Sequence, residues 1–204
     1  MGDTPLKIVV LDACRQALGA GAAHLVTRDT GQAVRTVLGA ALTALAPGAV
    51  ATLDFAGVGI VDFSCADECF AKLLTRLIAG EYGDKFLVLA GLGESQRENV
   101  AVALERKRLC ALASGEGGGW ECVGTITPHL RETLGLVTAR AGLSARELAG
   151  TLGLELTAAS TRLGTLHRLR LVKRRERPMG EGGREFVYEG LVPAGAPAAS
   201  RVPA

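Results

Sequence analysis

A chain of 204 residues, 48% hydrophobic and 22% charged, can hold one large or two small cores and is too apolar for a disordered polymer. Its net charge of +2 conceals a division: residues 1–126 carry 11 Lys/Arg against 14 Asp/Glu, whereas residues 127–204 carry 12 against 7. An acidic first part and a basic second part imply two units with different partners.

LKIVVLDA (6–13) has the β-branched density of a strand, and AHLVTR (23–28) reads as a second. GQAVRTVLGAALTAL (31–45) predicts a helix, because Val34, Leu38, Leu42 and Leu45 form one stripe. Thr30 or Asp29 is placed to cap it, and Pro47-Gly48 to end it. AVATLDFAGV (49–58) is apolar enough for a strand covered on both faces. Ser64 is the expected N-cap of the next helix, with Asp67 and Glu68 in its first turn, where the helix dipole favours acids. KFLVLAGL (85–92) predicts a central strand, and SQRENVAVALERKRLCALA (95–113) a helix anchored by Val100, Leu104 and Leu109. A glycine loop (115–119) then precedes a last strand, WECVGTI (120–126). This alternation predicts an α/β unit over 1–126, a mainly parallel or mixed sheet with helices packed on it.

The periodicity changes after Pro128. HLRETLGLVTARAG (129–142) predicts a helix stopped by Gly142. SARELAGTLG (144–153) carries the capping box Ser144-x-x-Glu147 and ends at Gly153. A helix over 156–169 and strands over 171–177 and 184–190, joined around Gly180-Glu181-Gly182-Gly183, complete a three-helix unit with a two-stranded ribbon over 127–191. The Pro/Ala tail 192–204 is expected to be disordered.

That order of elements describes a winged helix-turn-helix. The spacing S-x-R-L-x-x-L-x-x-L-x-L-V at Ser160–Val172 resembles the recognition helix and wing entry of bacterial regulators of the ArsR/MarR kind, with Arg170 where a glycine is usual before the Leu-Val pair. Leu156, Ala159, Leu163, Leu166 and Leu169 are expected to face the core. That leaves Thr157, Ser160, Thr161, Gly164, Thr165 and Arg168 on the other side, where small hydroxyls and an arginine suit the floor of a major groove. Arg162 lies at the border of the two faces, within reach of a base or a phosphate. Lys173, Arg174, Arg175, Arg177 and Arg184 on the wing are expected to meet phosphate or the minor groove. Between Arg162 and Arg184 the eight basic residues face only Glu176 and Glu181 in the sequence, which marks double-stranded DNA as the expected partner. Tyr188 or Phe186 is expected to pack the wing on its body, and His167 to be an edge residue.

The first unit carries LDFAGVGIVDFSCADECFAKLL (53–74) and, upstream, TRDTGQAVRTVL (27–38). Both resemble small bacterial STAS-like α/β domains, related to anti-sigma-factor antagonists, with a strand ending in LDF-x-x-V and S-x-A-D-E at a helix start. The resemblance makes Ser64 a candidate phosphorylation site. On the residues themselves, Asp62, Asp67 and Glu68 crowd that position with negative charge, and a plain N-cap is the simpler role. Asp67 and Glu68 either cap the helix or present an acidic contact to a protein partner.

Gly91-x-Gly93 follows a strand and precedes a helix, but Gln96 replaces the third glycine of a phosphate-cradling fingerprint. No Walker lysine and no nucleophile–His–acid set accompanies it, so neither enzyme activity nor a cofactor is expected. Five irregularly spaced cysteines (Cys14, Cys65, Cys69, Cys110, Cys122), with only His24, His129 and His167, make a zinc site or a disulfide framework a poor fit. The opening MGDTPLKIVV has no signal-peptide pattern, and no stretch reaches membrane-span length, so a cytoplasmic protein with reduced thiols and no membrane contact is expected.

The reading that unites these features is a homodimeric transcription regulator, with a STAS-like sensing or docking unit and a DNA-binding winged helix. The alternative is a partner-switching protein in which both units bind proteins, among them a kinase or regulatory factor at the first.

Overall fold

The computed structural model describes residues 6–115, 119–178 and 183–192. Strand β1 (Leu6–Val9) is followed at once by α1 (Val10–Leu18), then α2 (Arg28–Thr43), β2 (Val50–Asp54) and α3 (Phe63–Ala66). A π-helical turn (Asp67–Ala71) joins α3 to α4 (Lys72–Ile78); β3 (Phe86–Ala90), α5 (Glu94–Arg106), β4 (Cys110–Ser114) and β5 (Trp120–Gly124) follow. The chain continues with α6 (Pro128–Thr138), β6 (Leu143–Ser144), α7 (Ala145–Leu152), α8 (Leu156–Arg168), β7 (Val172–Pro178) and β8 (Arg184–Gly190). The ribbon turn at 180–182, the centre of the glycine loop at 116–118 and the tail from 193 lie outside the described residues.

The first unit is mixed α/β, as its alternation predicts, but several elements differ. The apolar run 6–13 splits, because Val10, Ala13 and Cys14 form the buried stripe of a helix rather than extending the strand. AHLVTR forms no strand: its one ladder contact is an isolated bridge from Leu25 to Val61. The long helix expected over 95–113 ends at Arg106, Arg108 turns left-handed at φ 54°, and Cys110–Ser114 becomes a strand. The caps differ as well. Thr27, not Thr30 or Asp29, caps α2 through its side chain, accepting from the Thr30 amide. Asp62, not Ser64, caps α3: its Oδ1 accepts from the Cys65 amide at 2.7 Å and its Oδ2 from the Thr27 amide at 3.2 Å.

The strands lie in the order β1-β2-β3-β4-β5, parallel except for the antiparallel β4–β5 pair. Side-chain alternation divides them between two cores. Ala51, Leu53, Leu87, Leu89, Ala111, Ala113 and Val123 face a core closed by the helices α1 to α5. Their neighbours Val50, Phe86, Val88, Cys110, Leu112 and Trp120 face the other way, and there they meet Leu130, Leu134 and Val137 of α6 with Leu163, Leu166 and Leu171. The C-terminal segment thus covers the second face of the sheet.

Within that segment the capping box is formed: Ser144 Oγ accepts from the Glu147 amide, while Glu147 accepts from the Ser144 amide at 2.6 Å. Gly153 ends α7 at φ 63°, the left-handed conformation that glycine adopts without penalty. Strand β6, two residues long, pairs with β8, so the sheet here has three strands in the order β6-β8-β7 and not two.

The π-helical turn buries a charge cluster. Glu68 is paired with Arg35, and both side chains are about nine-tenths buried; Lys72 Nζ lies 2.5 Å from the other Glu68 oxygen. Burial pushes the Glu68 carboxyl up, but hydrogen bonds from Lys72 and Arg35 outweigh it and hold the group below its ordinary value. Its folded pKa being lowered, the stabilisation is complete at neutral pH and is lost as pH falls through that lowered value. Urea midpoints measured from about pH 7 to about pH 3 are expected to show an acid limb that Glu68→Gln flattens. A second expectation concerns the shared core. Leu134→Ala removes a fully buried side chain and should cost about 2–5 kcal/mol. Trp120 fluorescence and far-UV circular dichroism should still report one urea transition, whereas two separated transitions would show that sheet and C-terminal segment unfold independently.

Candidate nucleic-acid interface

The basic helix α8 packs one face on α6 and α7. Ala159, Leu163 and Leu166 are fully buried there, as the spacing predicts. Leu169 is only half-buried at the helix end, and Leu156, expected in the core, is 52% exposed, because the first turn of α8 stands clear of a core that begins at Ala159. On the opposite side Thr157, Ser160, Thr161 and Arg168 are exposed, while Arg162, Gly164 and Thr165 are half-buried. Thr161 Oγ1 donates back to the Thr157 carbonyl at 2.8 Å, and Arg168 donates to Thr165 Oγ1 at 3.2 Å. The exposed strip is therefore made of small hydroxyls with one arginine at its end.

The ribbon places its charges differently from the local count. Residues 154–191 carry eight Lys/Arg, but also Glu155, Glu176, Glu181, Glu185 and Glu189, and the fold adds acids from elsewhere. Arg162 reaches Glu132 of α6 at 3.3 Å. Arg175 pairs with Glu189 across the ribbon. Arg177 lies 2.6 Å from Glu185 and 3.4 Å from Glu147, and Arg184 is 3.2 Å from Glu176. Lys173 is half-buried and Arg174 exposed, its guanidinium lying over the Phe186 ring at 4.4 Å from the centroid. Cross-strand register explains the ladder, since Lys173, Arg175 and Arg177 stand opposite Glu189, Val187 and Glu185. Exposed pairs of this kind are worth about 0–1 kcal/mol each. Such pairs open at small cost, and they lower the field of the patch.

Tyr188 is the aromatic that packs the ribbon on its body, 4% exposed, whereas Phe186 is 46% exposed on the ribbon surface. His167 is an edge residue: its Nδ1 lies 3.2 Å from the Val172 carbonyl, and its ring sits between Phe86 and Tyr188.

Arg170 belongs to the support rather than to the exposed strip. It adopts φ 61°, the conformation for which glycine is usual at this place. In return its guanidinium reaches back to the α/β sheet, with Nη1 2.5 Å from Asp84 Oδ1 and the group 5.7 Å from the Phe86 ring centroid. Local sequence holds no sign of this role, because Asp84 lies 86 residues away.

At the first unit, Ser64 is half-buried within the opening turn of α3. Asp67 faces Lys107 at 3.0 Å. Glu68, proposed as a helix cap or an acidic contact, is instead buried against Arg35 and Lys72, so it neither caps nor faces outward. Gly91 has φ 67°, and a Cβ there would stand 2.6 Å from Asp54 Oδ1, so glycine is required by the turn. Gly93 donates to Gln96 Oε1 at 2.9 Å, and Gln96 Nε2 donates to the Val58 and Gly59 carbonyls, which fills the start of α5 with the chain's own groups. Among the described residues no three His, Cys, Asp or Glu side chains gather as a metal site, and no helix is long and apolar enough to cross a membrane.

The Arg170 geometry sets an ordering of variants. Arg170→Ala and Arg170→Gly both lose the Asp84 pair, but only glycine relieves the left-handed backbone. Urea denaturation is expected to find Arg170→Gly more stable than Arg170→Ala by about 1 kcal/mol; equal stabilities would show that the backbone there is unstrained. Comparison of the chain with protein-family models, with curated proteins and with solved structures finds no match.

Proposed function

We propose that this chain is a transcription regulator that binds double-stranded DNA through residues 127–191, acting as a winged helix, under the control of a STAS-like unit over 1–126. The observation that carries the reading is the exposed strip Thr157, Ser160, Thr161 and Arg168 on a helix flanked by a basic ribbon. Small hydroxyls let a helix approach base edges closely, and an arginine at the strip's end can donate two bonds to guanine. Arg174 then meets a backbone phosphate, with Arg162, Arg175, Arg177 and Arg184 exchanging carboxylates for phosphates as the duplex arrives, and Lys173 adding its charge at the start of the ribbon.

Regulators built this way read near-palindromic sites as two-fold dimers, and a homodimer supplies the affinity that a patch rich in internal ion pairs lacks. The shared core bears on how a signal would travel. Separating α6 from Phe86, Leu112 and Trp120 exposes large apolar side chains, each worth about 1.5–3 kcal/mol of burial. A signal that left this core intact would act through how two protomers pair.

Fluorescence anisotropy on duplex fragments of the source genome, at two or more salt concentrations, tests the reading. Binding is expected to weaken steeply with salt, and Arg174→Ala to reduce the log–log slope by about 0.9, one phosphate contact. Arg168→Ala is expected to cost about 1–3 kcal/mol on the preferred sequence and little on random duplex. Affinity independent of salt, or unaltered by either change, overturns the assignment.

A further inference from the structure

The chain is poor in aromatic side chains, with one Trp, two Tyr and five Phe. Phe55, Phe70, Phe86, Trp120 and Tyr188 are buried, and Phe63 and Tyr82 are half-buried against the helix-side core. Phe186 is the exception: it stands on the ribbon, 46% exposed. A large apolar ring held in water forgoes the burial that aromatic side chains ordinarily gain on folding.

Register sets what surrounds it. Arg184, Phe186 and Tyr188 alternate onto one face of β8, and across from them on β7 stand Pro178, Glu176 and Arg174. Tyr188, at the inner end of this face, packs into the core and meets the His167 ring of α8. Phe186 is the next position outward, so it lies on the α8 side of the ribbon, with Arg184 beyond it. Arg174 lays its guanidinium over the Phe186 ring and joins no ion pair among the described residues. Glu176, the one acid among these six residues, is held by Arg184 at 3.2 Å. The face thus presents an apolar ring between two arginines, with its carboxylate already answered.

Phosphate contacts and base reading by α8 employ arginines and hydroxyls and give this ring no task. We propose, on the basis of the DNA-binding reading, that Phe186 is a wedge: it enters the minor groove beside the α8 site and inserts part-way between two base pairs, kinking the duplex. Apolar side chains used in this way unstack one base step and bend the DNA toward the major groove. A duplex fits better than a single strand, because strand binders lay successive bases on several aromatic platforms, and one aromatic is exposed among the described residues. Arg174 and Arg184 match phosphates on either side of an opened step rather than an apolar protein surface. A cation–π contact at an exposed site is weak, so Arg174 can pass from the ring to a phosphate as the ring enters the stack. Pyrimidine–purine steps unstack most readily and are the expected place of insertion.

The test uses the full chain and a duplex selected by it from random sequence. Dyes at the two duplex ends report bending by energy transfer, and 2-aminopurine placed at each position flanking the α8 site reports unstacking. Wild type is expected to kink the duplex by about 20–90° and to raise 2-aminopurine fluorescence at one step. Phe186→Ala should bind with the same salt slope, since no charge is removed, but leave the duplex straight and the probe stacked. Phe186→Leu, which keeps an apolar wedge, should restore part of both signals. Urea midpoints of both variants are expected to stay close to wild type, because the position is exposed. A straight duplex with wild type, a bend and fluorescence rise that survive in Phe186→Ala, or tighter binding to the single strand than to the duplex overturns the wedge alone. Binding that is absent or independent of salt overturns the DNA-binding reading and the wedge with it.

Discussion

A mainly parallel sheet with five helices on one side must bury its other side as well, and the rest of this molecule follows from that requirement. Strands β2, β3 and β4 are apolar at almost every position, and each sends alternate residues to opposite faces. Helices α1 to α5 serve one face only. Without α6 and the segment behind it, Phe86, Leu112 and Trp120 would face water together, a patch no stable monomer carries. Both units therefore depend on one surface, whatever their separate ancestry or task.

Electrostatics then secures what burial brings together. Arg170 turns left-handed at the exit of α8 and carries its guanidinium to Asp84, in the loop before β3, and to Phe86 on that strand. A glycine there would satisfy the backbone and leave the junction without that tie. Arg170 thus sets local strain of about 1–2 kcal/mol against a contact between distant segments.

What could be read from the sequence follows the range of the interactions involved. Ser144-x-x-Glu147 and Gly153 were legible because a capping box and a left-handed stop are closed within a few residues. The faces of α2 and α8 were legible from their period, apart from the exposed Leu156 and the half-buried Leu169 at the ends of α8. AHLVTR was misread as a strand because Leu25 alone is buried and paired, through backbone bonds with Ile60 and Asp62, while Val26 and Thr27 are exposed and the ladder stops at that one bridge. The 95–113 run was misread because helix propensity continues past Arg106, whereas the sheet needs Cys110–Ser114 as its fourth strand. Caps fell on Thr27 and Asp62 rather than on Thr30, Asp29 or Ser64 because the helices begin earlier, at Arg28 and Phe63, and the two caps are joined, the Asp62 carboxylate serving two amides at once. In each case a tertiary partner decided between local options.

The same reasoning limits what a run of arginines says. Counted along the chain, the basic stretch is a strong field; placed in space, Arg162, Arg175, Arg177 and Arg184 each have a carboxylate within reach. The acids that answer them come from α6, from the start of α7, and from β7 and β8 of the ribbon itself; only Glu132 and Glu147 lie outside the basic stretch. Three consequences follow for any polyanion that meets this surface. The long-range attraction is weaker than the arginine count, because paired charges cancel beyond a Debye length of about 8 Å. The short-range contacts remain available, because exposed pairs exchange partners at little cost. And the exposed helix residues Thr157, Ser160, Thr161 and Arg168 stand outside these ion pairs, their geometry held by the buried face of α8.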